Sequence, residues 1–295
     1  MQNFKEIIGK IIPNSLSRII RELRLQSGFR YKALLSGSPH LDCQYVTYYC
    51  DAGMANRIRS HLTAAVLAKR THRNMAVYWP ENKVCGATFQ DLFEWSGQPI
   101  KRLKRLRTIH FPGIFEPAEN LLTKIPESQA IVLAFEWQWI TRDQFLHFVG
   151  SDADYARSLL CPTVEIKEKV SEVFSSWPEK ICGVHVRRGD FGMYGWTIDT
   201  QRYITQMEEM QRKLGNDLHF FLCSDGSEQE LQPIMEKFKG LIHRRTKSSR
   251  ETSSGIKDAL IDFLLLSKTK HLVLTQRSSF GEMAAFIGNV PYVYA

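Results

Sequence analysis

No run of 18 apolar residues occurs in this sequence of 295 residues, which predicts neither a membrane-spanning helix nor an amino-terminal signal anchor. Cysteine is sparse and unpatterned. The six residues Cys43, Cys50, Cys85, Cys161, Cys182 and Cys223 form no Cys-x-x-Cys pair, so neither structural zinc nor a disulfide framework is expected. Cys182 and Cys223 fall inside apolar runs, where a thiol behaves as a small buried hydrophobe. These cysteines imply a reducing, cytoplasmic setting. Internal repeats and low-complexity tracts are missing too. What remains is a chain with 43% apolar residues, long enough for two domains of ordinary size.

The formal net charge is +8, from 39 basic and 31 acidic residues. A nucleic-acid binder should interleave aromatic residues with its Lys and Arg or show a motif helix, whereas the bases here are scattered among acids, so no nucleic-acid partner is expected. Much of the excess lies in the first forty positions, where Lys5, Lys10, Arg18, Arg21, Arg24, Arg30 and Lys32 stand against Glu6 and Glu22. Apolar residues from Phe4 to Leu23 recur there at three- and four-residue steps, broken at Pro13. Residues 1–40 therefore read as two basic amphipathic helices. The default is packing on their own domain; the alternative is peripheral contact of residues 1–30 with an anionic membrane surface.

Strand and helix patterns then alternate. Gln44 to Cys50 reads as a strand, followed by a turn at Asp51-Ala52-Gly53, a helix from Asn56 to Arg70 and a strand from Met75 to Trp79. Ile131 to Phe135 is another strand and Thr163 to Phe174 a charged helix. Beyond Ser175-Ser176-Trp177-Pro178, four strand patterns starting at Cys182, His219, His271 and Val290 are spaced by helical patterns of ten to fifteen residues, with Leu241-Ile242 a fifth short candidate. Such alternation specifies an α/β fold with parallel sheets covered on both faces. The expected division is 1–40 helices, 41–177 an amino-terminal α/β domain and 178–295 a carboxyl-terminal one.

The densest chemistry is Ile181-Cys182-Gly183-Val184-His185-Val186-Arg187-Arg188-Gly189-Asp190. A Val/Ile strand opening into two arginines puts fixed positive charge at the carboxyl end of a sheet, where open α/β folds bind ligands. A phosphate-bearing guest suits that charge, because the planar guanidinium donates two parallel hydrogen bonds and stays ionised. Solvated charges at a strand end are the simpler alternative; the Arg-Gly-Asp triplet, also an adhesion signal, recurs by chance. A second anion site is offered by Thr275-Gln276-Arg277-Ser278-Ser279-Phe280-Gly281, which opens the last helix and presents hydroxyls, free N–H groups and a cation together. Ser278 or Ser279 also reads as a plain N-cap.

His-Val-Arg-Arg-Gly-Asp after a short strand resembles the signature of the α1,2- and α1,6-fucosyltransferases and their protein O-fucosyltransferase relatives. The segment from Asp258 to Phe280 looks like the last motif of that superfamily, an acidic helix, a buried strand and a Thr-x-x-Ser-Ser-Phe turn. The resemblance implies two Rossmann-like domains facing across a cleft, the GT-B architecture, and an inverting, metal-independent transfer of L-fucose from GDP-fucose to a glycan hydroxyl in glycan biosynthesis. The implied partners are a nucleotide-sugar donor and a glycan acceptor, with no further cofactor. It assigns donor binding to His185, Arg187, Arg188, Asp262, Ser278 and Ser279, with Arg187 on the diphosphate and Asp262 on the N1–H and N2–H edge of guanine. A salt bridge from Asp262 to Lys268 or Lys257 is the simpler alternative for that carboxylate.

Gly53-Met54-Ala55-Asn56-Arg57 resembles the family's acceptor-side loop, so Gly53, Asn56 and Arg57 are expected to line the cleft. Ser224-Asp225-Gly226 resembles the middle motif, with glycine in place of its second acid. For a general base Asp190 is the nearest carboxylate, with Asp199 and Glu136 as others; the glutamate of the α1,6 branch has Gly195 at its position. Asp152-Ala153-Asp154 is a rival signal, a triplet by which other transferases hold a divalent metal. It also reads as Ser151 capping a helix with acids in its first turn, the preferred reading. A transferase using another nucleotide sugar and a non-catalytic nucleotide or glycan binder stay open.

Overall fold

A computed structural model describes residues 40–41, 44–94, 98–99, 102–103, 109–110, 130–133, 140–244 and 249–295. The amphipathic pattern of residues 1–39 and the candidate base Glu136 lie outside them. The described chain forms two compact α/β units.

The first unit gathers residues up to Cys50, Ser60–Tyr78 and Ser96–Ile140. Apart from a two-stranded pair of β1 (His40–Leu41) and β5 (Arg102–Leu103), its strands are β2 (Tyr45–Tyr48), β3 (Asn74–Val77), β4 (Gln98–Pro99), β6 (Ile109–His110) and β7 (Ala130–Leu133). They pair in parallel in the order β4-β3-β2-β7-β6. Central β7 is wholly apolar and buried, and β2 is buried from Val46 to Tyr48, as a sheet covered on both faces requires. Helix α1 (Met54–Arg70), which belongs to this unit from Ser60 onward, has Lys69 and Arg70 in its last turn, where cations favour the carboxyl-terminal dipole. It stops at His72, whose φ of 52° is left-handed.

The second unit gathers Asp51–Arg59, Trp79–Trp95 and Thr141–Ala295. Residues Thr141 to Trp177, placed by the sequence in the amino-terminal domain, cluster here. Their anchors explain it. In helix α3 (Arg142–Val149), the earlier α2 being the single turn Phe89–Leu92, Phe145 packs edge-on against Phe286 at 4.8 Å. From α4 (Ala153–Ser158) Arg157 Nε donates to Phe286 O at 2.9 Å, and on α5 (Val164–Ser175) Glu165 accepts from Lys257 Nζ at 2.6 Å.

The rest of this unit alternates as expected: β8 (Ile181–Val186), α6 (Thr200–Leu214), β9 (His219–Ser224), α7 (Glu228–Lys237), β10 (Ile242–His243), α8 (Ser253–Ser267), β11 (His271–Leu274), α9 (Ser279–Gly288) and β12 (Tyr292–Tyr294). All five strands are parallel, in the order β10-β9-β8-β11-β12. Cys182, Val184 and Val186 pack with Tyr203 and Met207 of α6 and with Leu231 and Ile234 of α7. The alternate residues face the other way: a Cβ on Gly183 would meet Leu266 of α8, and His185 lies against Phe280 of α9. Strand alternation thus assigns α6 and α7 to one face, α8 and α9 to the other.

The loop before α8 is set by a close backbone approach. Gly86 N donates to Arg250 O at 2.8 Å, and a Cβ on Gly86 would overlap the Glu251 carbonyl. Thr88 and Asp91 make a capping box, and Ser253 Oγ donates to the Asp91 carboxylate at 3.0 Å. The Thr88 backbone N–H, above all, holds the Asp91 carboxyl below its ordinary range. Gly86→Ala should therefore displace this loop and destabilise the fold by about 1–3 kcal/mol; urea unfolding midpoints of the two proteins measure it.

Candidate functional site

Numbered along the chain, the strands of the second sheet run 3-2-1-4-5, so their order reverses between β8 and β11. Ligands of open parallel sheets bind outside the carboxyl ends of the strands flanking such a reversal. Those ends are Val186-Arg187 and Leu274-Thr275, the two segments singled out by sequence.

One hydroxyl ties them together. Thr275 Oγ1 donates to His185 O at 2.9 Å and accepts Arg187 N–H at 2.8 Å. Its single proton is committed to His185, so the Tyr203 hydroxyl, 2.6 Å away, is the donor in the third bond. Thr275 and Tyr203 are fully buried, and burial, first of all, raises the tyrosine pKa. The first residue beyond β8 is thereby held in place by the beginning of the turn beyond β11.

From that position the Arg187 side chain meets two carboxylates. Nη2 donates to Asp190 Oδ1 at 2.5 Å and Nη1 to Asp225 Oδ2. Asp225 also accepts the Arg188 backbone N–H on Oδ1 at 2.8 Å and Arg250 Nη2 on Oδ2 at 3.1 Å. Gly189 makes this approach possible. Its φ is 23°, and a Cβ there would overlap Asp225 Oδ2. Arg250 Nη1 stands 3.9 Å from Asp190 Oδ2, which closes a four-membered network of two arginines and two aspartates.

Arg188, expected beside Arg187, points elsewhere. Successive side chains leave a strand on opposite sides, and the Arg188 guanidinium donates to Ile198 O and, at 2.7 Å, to Thr200 Oγ1, over the Tyr203 ring. It is buried and fastens the loop to the start of α6. Its stem also accounts for the glycine of the middle motif, because a Cβ on Gly226 would come within 2.9 Å of Arg188 Cγ.

His185 is buried and stacks on Phe280 at 5.1 Å. Its Nδ1 has no hydrogen-bond partner, and a Cβ on Gly281 would meet it at 3.0 Å. Burial above all, with Arg187 adding to it, lowers its pKa to about 4, so the ring is neutral. Ser278 occupies the N-cap position of α9 and is buried, yet its side chain makes no capping bond. The first free N–H groups of α9, its dipole and two serines therefore meet beside His185. Arg277, held at a φ of 65°, turns its guanidinium over Trp196 instead.

Asp262 is buried in the middle of α8. Its partner is Arg244, just beyond β10, rather than Lys257 or Lys268; the Arg244 fork reaches Asp262 Oδ1 and, at 3.5 Å, Asp258. Burial dominates even so and pushes the Asp262 carboxyl up to about 6. Cys223 beneath it is a free thiol with its pKa raised, first by burial and then by Asp262.

Three further expectations change. Arg57 does not line a surface: it is fully buried, donating to Ala52 O at 2.6 Å, Pro80 O and Asn82 Oδ1 at 2.9 Å. It fastens the loops around Gly53, and Asn56 Oδ1 accepts from Arg59 at 2.8 Å. Asp199 is the N-cap of α6, bonded to Gln201 N at 2.9 Å, and so is engaged as a cap rather than placed as a base. At Asp152-Ala153-Asp154 a helix does start, but after a short 3-10 turn and without a capping bond from a side chain; Asp154 pairs with Arg157 at 2.6 Å. Arg250 and Arg244 carried no sequence signal. Asp225 carried only its place in the Ser224-Asp225-Gly226 resemblance.

Comparison with known proteins places the fold. No family model and no curated protein matches the chain. Among solved structures, the alpha-1,6-fucosyltransferase NodZ, soaked with GDP-fucose, aligns at TM-score 0.56 and 20% identity, over 85% of this chain and 94% of that one; a NodZ structure is also described from Bradyrhizobium. A mutant of Arabidopsis thaliana FUT1 in complex with GDP aligns at TM-score 0.55 and 17% identity, over 95% of this chain and 78% of that one. POFUT1 in complex with GDP aligns at TM-score 0.52 and 12% identity, over 86% and 99%. The chain has the fold of these fucosyltransferases.

Thr275→Val removes the shared hydroxyl and leaves the Arg187 N–H, the His185 carbonyl and the Tyr203 hydroxyl without it. At roughly 1–3 kcal/mol for each buried group left unsatisfied, chemical denaturation should show a loss of at least about 2 kcal/mol. A second expectation concerns pH. The folded His185 titrates near 4 against an ordinary 6.5, so between those values the unfolded chain holds more protons and stability rises with pH. Asp262, raised from 3.8 to about 6, acts with the opposite sign: the folded chain holds its extra proton and stability falls as pH rises through that window. His185→Phe should therefore remove the rise and Asp262→Asn should steepen it, as read from unfolding midpoints between about pH 4 and 6.5.

Proposed function

We propose that the chain is an inverting glycosyltransferase that moves L-fucose from GDP-fucose to a glycan hydroxyl without a metal ion. The observation that carries this reading is Arg187 at the reversal of the sheet, beside the amino-terminus of α9, in a fold shared with fucosyltransferases solved with GDP or GDP-fucose. As the bond from the anomeric carbon to the diphosphate oxygen breaks, its electron pair stays on that oxygen. Arg187 is the donor aimed at the growing charge, with Arg250 as a second cation on the same network and the free N–H groups of α9 beside them. Two arginines and a helix dipole supply the stabilisation a metal would otherwise give. The acceptor oxygen bonds to the anomeric carbon from the opposite side, which inverts it, and its hydroxyl proton passes to the departing diphosphate or to solvent water.

Asp190 fits an orienting part better than proton abstraction, since its Oδ1 is taken by Arg187. Asp262 remains the residue proposed for the guanine edge, now shared with Arg244, and selection of GDP over UDP would rest on that pair. Ser278 and His185 face the same helix end and complete the donor side. Among the described residues no helix is long and apolar enough to cross a membrane. A cytoplasmic setting, with contact of residues 1–30 at the inner membrane face, belongs to the same proposal.

Arg187→Ala should lower GDP-fucose turnover by roughly a hundred- to a thousandfold with an unchanged melting temperature, the usual effect of deleting one transition-state donor. Wild-type turnover should persist in EDTA and exceed that of UDP sugars. Near-normal turnover in the folded variant, or activity that EDTA abolishes and Mn2+ restores, would overturn the reading.

A further inference from the structure

Among the described residues six large apolar side chains are well exposed, and three of them fall in one four-residue stretch: Met193 at 80%, Tyr194 at 59% and Trp196 at 40%. The stretch lies just beyond the arginine motif and spans the end of the 3-10 turn Gly189–Tyr194. That end is a built feature. Gly195 is left-handed at a φ of 67°, Trp196 N donates to Phe191 O at 3.0 Å and Gly195 N to Gly192 O at 3.3 Å, the paired bonds of a Schellman closure. The apolar contact that accompanies this closure is present as well, with the Trp196 ring edge-on to buried Phe191 at 5.6 Å. Tyr194 stacks on Trp196 at 4.9 Å and 28°. The result is an aromatic shelf whose backbone is fixed while part of its ring surface, more of it on Tyr194 than on Trp196, stays in solvent.

The shelf is joined to the candidate site at both ends. Arg277, in the turn that opens α9, lies over the Trp196 ring at 5.6 Å, and Arg187 lies over Phe191 at 5.5 Å. We infer that the Tyr194–Trp196 stack, edged by Met193, seats one pyranose ring of the acceptor glycan. A pyranose has a face made only of C–H groups, whose slight positive charge suits the electron-rich face of an aromatic ring, as a cation's does. Three side chains fall far short of the roughly 800 Å² per partner of a stable protein interface, but match one sugar ring. Room is left around them, since a Cβ on Gly192 or Gly195 would meet nothing within 4 Å. Naming the ring as the acceptor's rests on the transferase reading above; the binding of a sugar ring here does not.

The test is saturation-transfer NMR with three probes at millimolar concentration: methyl β-D-galactopyranoside, methyl β-D-glucopyranoside and methyl 2-acetamido-2-deoxy-β-D-glucopyranoside. Wild-type protein should transfer saturation to the ring C–H protons of at least one. Trp196→Ala should lose that signal by roughly tenfold, Trp196→Phe should keep part of it, and Val164→Ser, at an exposed apolar residue elsewhere, should keep all of it. Gly195→Val, which strains the turn and displaces Trp196 without deleting it, should lose it too and guards against misfolding of the alanine variant. Equal signals from wild type and Trp196→Ala, or none from wild type with any probe, would overturn the inference. Titration of GDP into the same samples separates the two readings. Normal GDP binding without a glycoside signal removes the shelf alone, whereas Trp196-dependent glycoside binding without GDP binding upholds it and removes the donor.

Discussion

The hydroxyl of Thr275 holds the carboxyl ends of β8 and β11 in one hydrogen-bonded unit, and the rest of the candidate site depends on that junction. At the reversal of a parallel sheet the two neighbouring strands send their chains to opposite faces, so the ladder between them ends and the sheet itself leaves the loops beyond it unfixed. Here a buried side chain takes over where the ladder stops, bonding backbone on β8 and the phenol of Tyr203 on α6. Arg187 inherits its position from this junction, and Arg188, one residue on, is turned to the other side and spent on fastening the loop. The adjacent arginines therefore do different physical work, one exposed to charge exchange and one locked in structure.

Much of this was legible in the sequence. The alternation of strands and helices in the second unit, and the charged end of the His185 strand, arise from apolar periodicity and turn chemistry. Even the division of labour between Arg187 and Arg188 is implied by strand parity, which puts His185 and Arg187 on one side and Val186 and Arg188 on the other. Partners brought together by the fold were not legible. Arg250 and Arg244 lie in ordinary polar stretches, and only the close approach at Gly86 and the return of α8 to the carboxyl edge of the sheet bring them to Asp225 and Asp262.

Arg57 shows the opposite failure. A basic residue in the first turn of a helix behind a glycine loop looks like a ligand contact, yet the guanidinium is one of the few groups able to satisfy three acceptors from two loop segments at once. The same donor geometry serves a phosphate or a loop equally well. Local sequence has no means of telling which, because the deciding carbonyls are up to two dozen positions away. The glycine of Ser224-Asp225-Gly226 is a milder case, its reason being the stem of an arginine nearly forty residues earlier.

The sharing of Asp225 and Asp190 between Arg187 and Arg250 has a thermodynamic consequence. A bare pair of guanidinium groups would take up any anion at hand, phosphate and chloride included. Because the protein's own carboxylates already occupy these donors, an incoming anion must displace them, and its affinity is a difference between two similar electrostatic terms rather than the whole of one. Ions that offer one contact gain little from such an exchange. A ligand that engages the arginines, a helix end and further pockets together gains enough to shift it. In the proposed donor site the internal ion pairs would thus act as a threshold, filtering by the number of simultaneous contacts rather than by charge.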